Sequence, residues 1–195
     1  MRKQAVELQA EAEYLSAFTT IMKRLEAAVG ARAEPVVVCV CGGAALHLYT
    51  GARVSKDIDA TILAKFLPPS NLNVAYRGTD GHARLLYFDT QFNGAFSLLH
   101  ESAFKDSLPV TLAGVDAKRL DVRLLSPIDL AVSKLSRFDR HDEADIRALA
   151  QARLIDAEAL RHRAEEALPA YEGDVGRVRE SLDAAVSLIG KAVLH

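Results

Sequence analysis

Two aspartates one residue apart, Asp57 and Asp59, are the first residues whose spacing points to chemistry. They lie in the run Lys56-Asp57-Ile58-Asp59-Ala60-Thr61-Ile62-Leu63, which alternates in its first half. That pattern predicts a strand with both carboxylates on one face and Ile58 on the other. Two acids so close repel unless a cation lies between them, and hard oxygen ligands suit Mg²⁺. Acids at strand ends also simply face water, so the pair alone leaves both readings open. Upstream, Gly42-Gly43 follows an apolar run and precedes a short helical stretch. Glycines let a phosphate approach the backbone, and a helix start offers it unbonded N–H groups. A tight turn asks for the same two residues. No Gly-Lys-Ser/Thr follows, and the Gly-x-Gly-x-x-Gly dinucleotide pattern is missing, so the commonest phosphate-binding loops are excluded.

The elements that must position these residues follow from periodicity. Leu8, Leu15, Phe18, Met22, Leu25 and Val29 recur at helical spacing over residues 5–29, and Gly30 ends the helix. Val36 to Cys41 is apolar on both faces, which predicts a central strand, and Ala44 to Thr50 is a short helix stopped by Gly51. The paired-acid strand comes next, then a break at Pro68-Pro69-Ser70-Asn71. A third strand is expected over Arg84 to Asp89 and a fourth over Leu120 to Leu125. Beyond that the period becomes helical. Ser126-Pro127-Ile128-Asp129 is a helix start, with Leu130, Lys134 and Arg137 in one stripe of that helix. Asp142 is expected to cap a second helix and Asp156 a third that ends before Pro169; Val175 to Ile189 outline a last one. The expectation is an α+β fold: a helix over residues 1–30, a small mixed-sheet core over 31–125 and a helical region over 126–195, forming one integrated unit.

Composition bounds the function. Of 195 residues, 50% are hydrophobic and 26% charged, too apolar for a disordered chain and enough to bury a core without metal or disulfide. The net charge of −2 excludes a broadly cationic nucleic-acid coat, though not a local basic patch such as Arg53 with Lys56, or Arg137 with Arg140. Cys39 and Cys41 have neither disulfide nor zinc spacing and read as small core residues in a reducing compartment. Pro35 to Ala52 carries no Asp, Glu, Lys or Arg and approaches the length of a membrane span, but its glycines, His47 and Thr50 favour a buried strand, turn and helix. The expectation is a soluble, cytoplasmic protein. His47 reads as packed, His82, His100 and His162 show no ligand spacing, and Arg147, Arg153, Arg161 and Arg163 read as a solvated helical face.

Taken in order, strand, Gly42-Gly43-Ala44-Ala45-Leu46, then Arg53-x-Ser55-x-Asp57-Ile58-Asp59, the chain resembles the nucleotidyltransferase superfamily of the DNA-polymerase-β type. It is most similar there to the AbiEii-like abortive-infection toxins and their uncharacterised relatives. A second block, Leu125 to Arg137 followed by Asp142-Glu143-Ala144-Asp145-Ile146, matches that family's Lys-containing helix and Arg-Asp-x-x-Asp motif, except that His141 stands where the motif has Arg. The resemblance implies a nucleotidyltransferase fold with Mg²⁺ on Asp57 and Asp59, and a triphosphate held by Gly42 and Gly43 with Arg53 and Ser55 beside it. It also implies nucleotide contacts from Lys134 and Arg137, and Asp142 and Asp145 on the far side of a cleft. A third carboxylate, the base for the attacking hydroxyl and a further metal ligand, is Asp89 or Asp121; Asp89 is preferred because Arg119 and Arg123 flank Asp121 and offer it a salt bridge. The implied reaction moves a nucleoside monophosphate from an NTP to a hydroxyl on an RNA such as tRNA, a protein or a small molecule. The implied context is a toxin with a cognate antitoxin encoded next door. The alternative is a catalytically silent nucleotide- or partner-binding protein on the same fold.

Overall fold

The computed structural model describes residues 6–91 and 97–192. The chain divides into two compact units, Met1–Phe92 with Ser107–Leu124, and Asn93–Asp106 with Leu125–His195. The first holds helix α1 (Ala12–Ala28), strand β1 (Val36–Val40), helix α2 (Gly42–Thr50), and strands β2 (Asp57–Ile62), β3 (Asn73–Arg77), β4 (Ala83–Asp89), β5 (Leu108–Pro109) and β6 (Leu120–Leu124). Its six-stranded sheet runs β3-β4-β2-β1-β6-β5. β1 lies antiparallel to β2 and parallel to β6, and β2 lies parallel to β4, so the sheet is mixed. The Val-rich β1 is central because it is apolar on both faces; Val36, Val38, Cys39 and Val40 are fully buried. The register places Val38 beside Ile62 and Val122, and Val40 beside Ala60 and Leu124, one continuous apolar face. Helix α1 packs on β3, β4 and β6 through Tyr14, Phe18, Ile21, Met22 and Leu25, all fully buried. Each such side chain is worth about 1.5–3 kcal/mol over exposure.

The second unit is helical: α3 (Ala103–Asp106), α4 (Pro127–Ser133), α5 (Arg140–Gln151), α6 (Ala157–Ala167) with a 3-10 turn (Leu168–Ala170), and α7 (Val175–Ala192). α4 starts as its sequence dictates, with Ser126 accepting from the Asp129 N–H and Pro127 in the first turn. Asp156 caps α6 by accepting from the Ala159 N–H. α7 packs against α5 and α6 along Val178, Leu182, Ala185 and Ile189.

Several expectations need correction. The first helix begins at Ala12 rather than residue 5, because the backbone before it is engaged elsewhere: the Gln9 N–H donates to the Leu48 carbonyl at 2.9 Å. Strands β3 and β5 were not expected. The cap of α5 is Asp139, which accepts from the His141 and Asp142 N–H groups, while Asp142 returns the bond from the third helical position as the other half of a capping box. α4 ends at Ser133, and Phe138 adopts φ 49°, so Leu130, Lys134 and Arg137 do not form one helical stripe. Arg163 is not on a solvated face: it is largely buried and holds Asp129 (Nε–Oδ1 2.7 Å) and Asp106 (3.0 Å). Among the described residues no helix is long and apolar enough to cross a membrane.

Candidate functional site

The end of β1, the start of α2 and the start of β2 meet at the two glycines. Gly42 adopts φ 58°, a left-handed conformation that only glycine reaches without strain. A Cβ at this position would lie 2.2 Å from Asp59 Oδ2, so the missing side chain is what lets the carboxylate sit over the turn. A Cβ on Gly43 would lie 3.0 Å from Ser55 Oγ and 3.2 Å from Arg53 Nη1. Gly42, Gly43, Arg53, Ser55 and Asp59 therefore share one neighbourhood. The Cys41 N–H donates to the Asp59 carbonyl at 2.8 Å, which fixes the acid strand to the turn. α2 starts with no side-chain cap, in contrast to α4, α5 and α6. Its first N–H groups thus have no side-chain cap as acceptor.

Asp57 and Asp59 alternate with buried Ile58 and share the opposite face of β2. Asp57 Oδ1 accepts from the Ser55 hydroxyl at 2.6 Å, which orients that carboxylate. β4 brings a third acid to the same face: Asp59 pairs in register with Asp89, and Ile58 with Phe88, on parallel neighbours. Strands at this spacing put the two acid backbones about 5 Å apart. Asp89 accepts from the Gln91 N–H at 2.8 Å. Asp121 is elsewhere. It is level with Val37 on β1, whereas Asp59 is level with Cys41, four residues or roughly 13 Å further along the sheet. Asp121 is also bridged by Arg123 at 3.2 Å; Arg119 turns instead to Glu26 at 3.7 Å.

Among the described residues, no three His, Cys, Asp or Glu side chains are gathered tightly enough to hold a metal ion unaided. The donor set still fits Mg²⁺, which is commonly bound by one or two carboxylates with substrate phosphates and water completing the shell. The space over Gly42 that Asp59 fills is the structural sign of that fit. The neighbouring thiols are poor ligands. The hydrogen bond with Cys39, followed by burial, pushes the Cys41 thiol well above its ordinary range. On α1, Tyr14 is fully buried against His47 and Tyr76, and burial, then the charges of Tyr76, Asp57 and Asp59, push its hydroxyl up.

The second block lies in the helical unit and is saturated with charge partners. Lys134 is 7% exposed, with Nζ 2.6 Å from Asp145 Oδ2 and 3.6 Å from Asp142 Oδ1. Arg137 grips Asp142 through both Nε (2.8 Å) and Nη2 (2.9 Å). Asp142 and Asp145, one turn apart on α5, thus clasp the residues that follow α4. His141, at the position where the resemblance wants Arg, heads α5 with its N–H on Asp139.

A family model described as "nucleotidyltransferase of unknown function" (DUF6036) matches residues 16–181, most of the chain. No curated protein matches, and no solved structure does.

Proposed function

Because the chain belongs to this family of nucleotidyltransferases, we propose that it transfers a nucleoside monophosphate from an NTP to a hydroxyl acceptor, with the machinery in the sheet unit. The observation that carries the reading is the fit of Asp59 over Gly42, which joins an anion-accepting helix start to a pair of acids on one strand. Asp57 and Asp59 would hold Mg²⁺, which when bound supplies charge neutralisation at the triphosphate. The N–H groups at Gly42 and Gly43 would take the phosphate oxygens, with Arg53 and Ser55 beside them. Asp89, in register with Asp59, would accept the proton of the attacking hydroxyl. The oxygen then bonds to the α-phosphorus as the bond to the bridging oxygen of the β-phosphate breaks, and pyrophosphate leaves. On this reading Lys134, Arg137, Asp142 and Asp145, which the resemblance gives to the nucleotide, serve to hold the end of α4 to α5 through their mutual ion pairs.

The acceptor we favour is a macromolecular hydroxyl, RNA or protein, in keeping with the likeness to AbiEii-like toxins and a partner antitoxin. The test is incubation with each α-³²P-labelled NTP, Mg²⁺ and cell extract. Label on RNA or protein that disappears with Asp57→Asn supports the reading. With RNA as acceptor, transfer should fall steeply with salt; with protein it should not. Mg²⁺-dependent NTP binding without transfer would make the chain a silent nucleotide-binding protein. Absence of both would refute the site.

A further inference from the structure

Helix α1 covers one face of the sheet at β3 and β4. Tyr76 on β3 meets the Tyr14 ring of α1, and Leu86 and Phe88 on β4 are buried on that same side. The residues that alternate with them face the other way, together with Asp57, Asp59 and Asp89. Asn73 on β3, Tyr87 on β4 and Asp57 on β2 stand side by side in one row, and Ala75 and Leu85 stand side by side in the next. Adjacent strands lie about 4.8 Å apart, so the first row carries the acid site about 10 Å outward to the sheet edge. This stretch is open. Asn73 and Ala75 are exposed and Tyr87 is part-exposed. Leu85, at 51% exposure, is one of four large hydrophobic side chains left in water among the described residues.

The proposed reaction gives this face a direction. The strand order is β3-β4-β2-β1, and the Gly42-Gly43 turn that would hold the triphosphate follows β1. In-line displacement puts the attacking oxygen opposite the leaving pyrophosphate. The acceptor therefore comes in over β4, where Asp89 would take its proton, and the rest of it extends over Tyr87 toward β3. Tyr87 is two residues from Asp89, about 7 Å along the strand. That is close to the span between a ribose hydroxyl and the middle of its own base.

The groups on this face point to the chemistry of the acceptor. β4 is paired on both sides, so it leaves no row of free N–H and C=O groups to hold a peptide backbone. It offers instead a phenol ring, an exposed aliphatic neighbour and, level with the ring, the carboxamide of Asn73, which can both donate and accept. A planar ring with a hydrogen-bonding edge matches that set, and aromatic side chains on an open sheet are a recurrent platform for nucleobases.

We propose that Tyr87, with Leu85 and Asn73, forms the acceptor subsite: the terminal base of a single-stranded RNA stacks there while a hydroxyl of its ribose meets Asp89. This rests on the transfer reading above and narrows its acceptor to RNA.

Binding of a short fluorescein-labelled oligoribonucleotide to the full chain, followed by anisotropy without NTP or Mg²⁺, measures the subsite apart from the chemistry. Tyr87→Ala should weaken binding about tenfold, and Tyr87→Phe, which keeps the ring, by under about twofold. In Mg²⁺-dependent transfer Tyr87→Ala should raise the KM for RNA by a similar factor and leave the KM for NTP unchanged. The chain has no Trp, so Tyr87→Trp adds a direct signal that keeps a ring in place: a stacked base should quench its fluorescence. Absence of quenching, equal RNA affinity in wild type and Tyr87→Ala, or no RNA binding by the wild type would overturn the subsite. A raised KM for NTP instead would put the NTP base on Tyr87 and overturn its role toward the acceptor. Transfer to protein that is indifferent to Tyr87→Ala would overturn the subsite and leave the transfer reading standing. RNA binding that depends on Tyr87, with no transfer by the wild type, would uphold the RNA platform and refute the transfer reading.

Discussion

The two units each gather carboxylates, and they treat them in opposite ways. In the helical unit Asp142 and Asp145 are nearly inaccessible and are met by the ammonium of Lys134 and the guanidinium of Arg137. In the sheet unit Asp57 and Asp89 accept from a hydroxyl and a backbone N–H, neutral donors that orient a carboxylate without cancelling its charge. Charge that is neutralised within the fold does framework work; charge that is oriented but left standing can act on something else. The difference separates a lock from a site better than residue type does, since both clusters are built on Asp-rich motifs.

The largest effect that would sharpen this contrast is on function in the sheet unit. Asp57→Asn or Asp59→Asn should lower Mg²⁺-dependent transfer by about 10³-fold or more, the equivalent of several kcal/mol. Stability should change by under about 1 kcal/mol, with the melting temperature rising as carboxylate repulsion is relieved. A marked fall in melting temperature with metal affinity intact would break the comparison, because the acids would then be framework too.

In the helical unit the effect should fall on stability. Lys134→Ala removes the cation between two buried carboxylates, and such losses cost about 3–5 kcal/mol. Urea denaturation should show it as a lowered midpoint. Lys134→Met, which keeps most of the apolar stem, should recover little. A loss under about 1 kcal/mol would mean the pair behaves like an exposed one, and would return Lys134 to consideration as a phosphate contact.

Between these lies the glycine turn. Gly42→Ala places a side chain at positive φ, costing about 1–2 kcal/mol, and also drives Asp59 off its position. Metal affinity should fall about tenfold or more. Gly43→Ala should be milder, because its neighbours are side-chain atoms of Ser55 and Arg53 at 3.0–3.2 Å that can give way. Equal effects from the two substitutions would show that the fit of Asp59 over Gly42 has no special role.

What was legible in the sequence follows the same division between local and non-local causes. β1, β2, β4 and β6 announce themselves by apolar runs or alternation, and the Asp57–Asp59 pair by its spacing on one of them. β3 is an edge strand with alternate residues exposed, and β5 has two residues, so neither has enough buried surface to leave a pattern. The cap of α5 was misplaced because Asp139 and Asp142 both satisfy the local rule, and only the backbone chooses between them. That Asp89 stands beside Asp59 is a matter of strand pairing, invisible without the sheet. The burial of Lys134 and Arg163 depends on acids from other helices or segments, so a local reading leaves both in solvent.

The smallest expected effect concerns pH and tests whether the buried His47 ring is held neutral. His47 is fully buried, and burial lowers its pKa from the ordinary 6.5, with its bond to Ala52 and the charge of Glu11 opposing and Arg84 assisting. A base whose folded pKa is depressed binds fewer protons folded than unfolded. Stability should therefore be full above about pH 6.5 and decline as pH falls below that value, until the folded-state ring also protonates. His47→Gln keeps polar capacity and removes the titration, so the difference in urea midpoint between it and the wild type should shrink as pH is lowered from 7.5 through 6 at fixed salt. A difference independent of pH would mean that His47 does not titrate differently in the two states, and that burial carries no cost for charge at that ring.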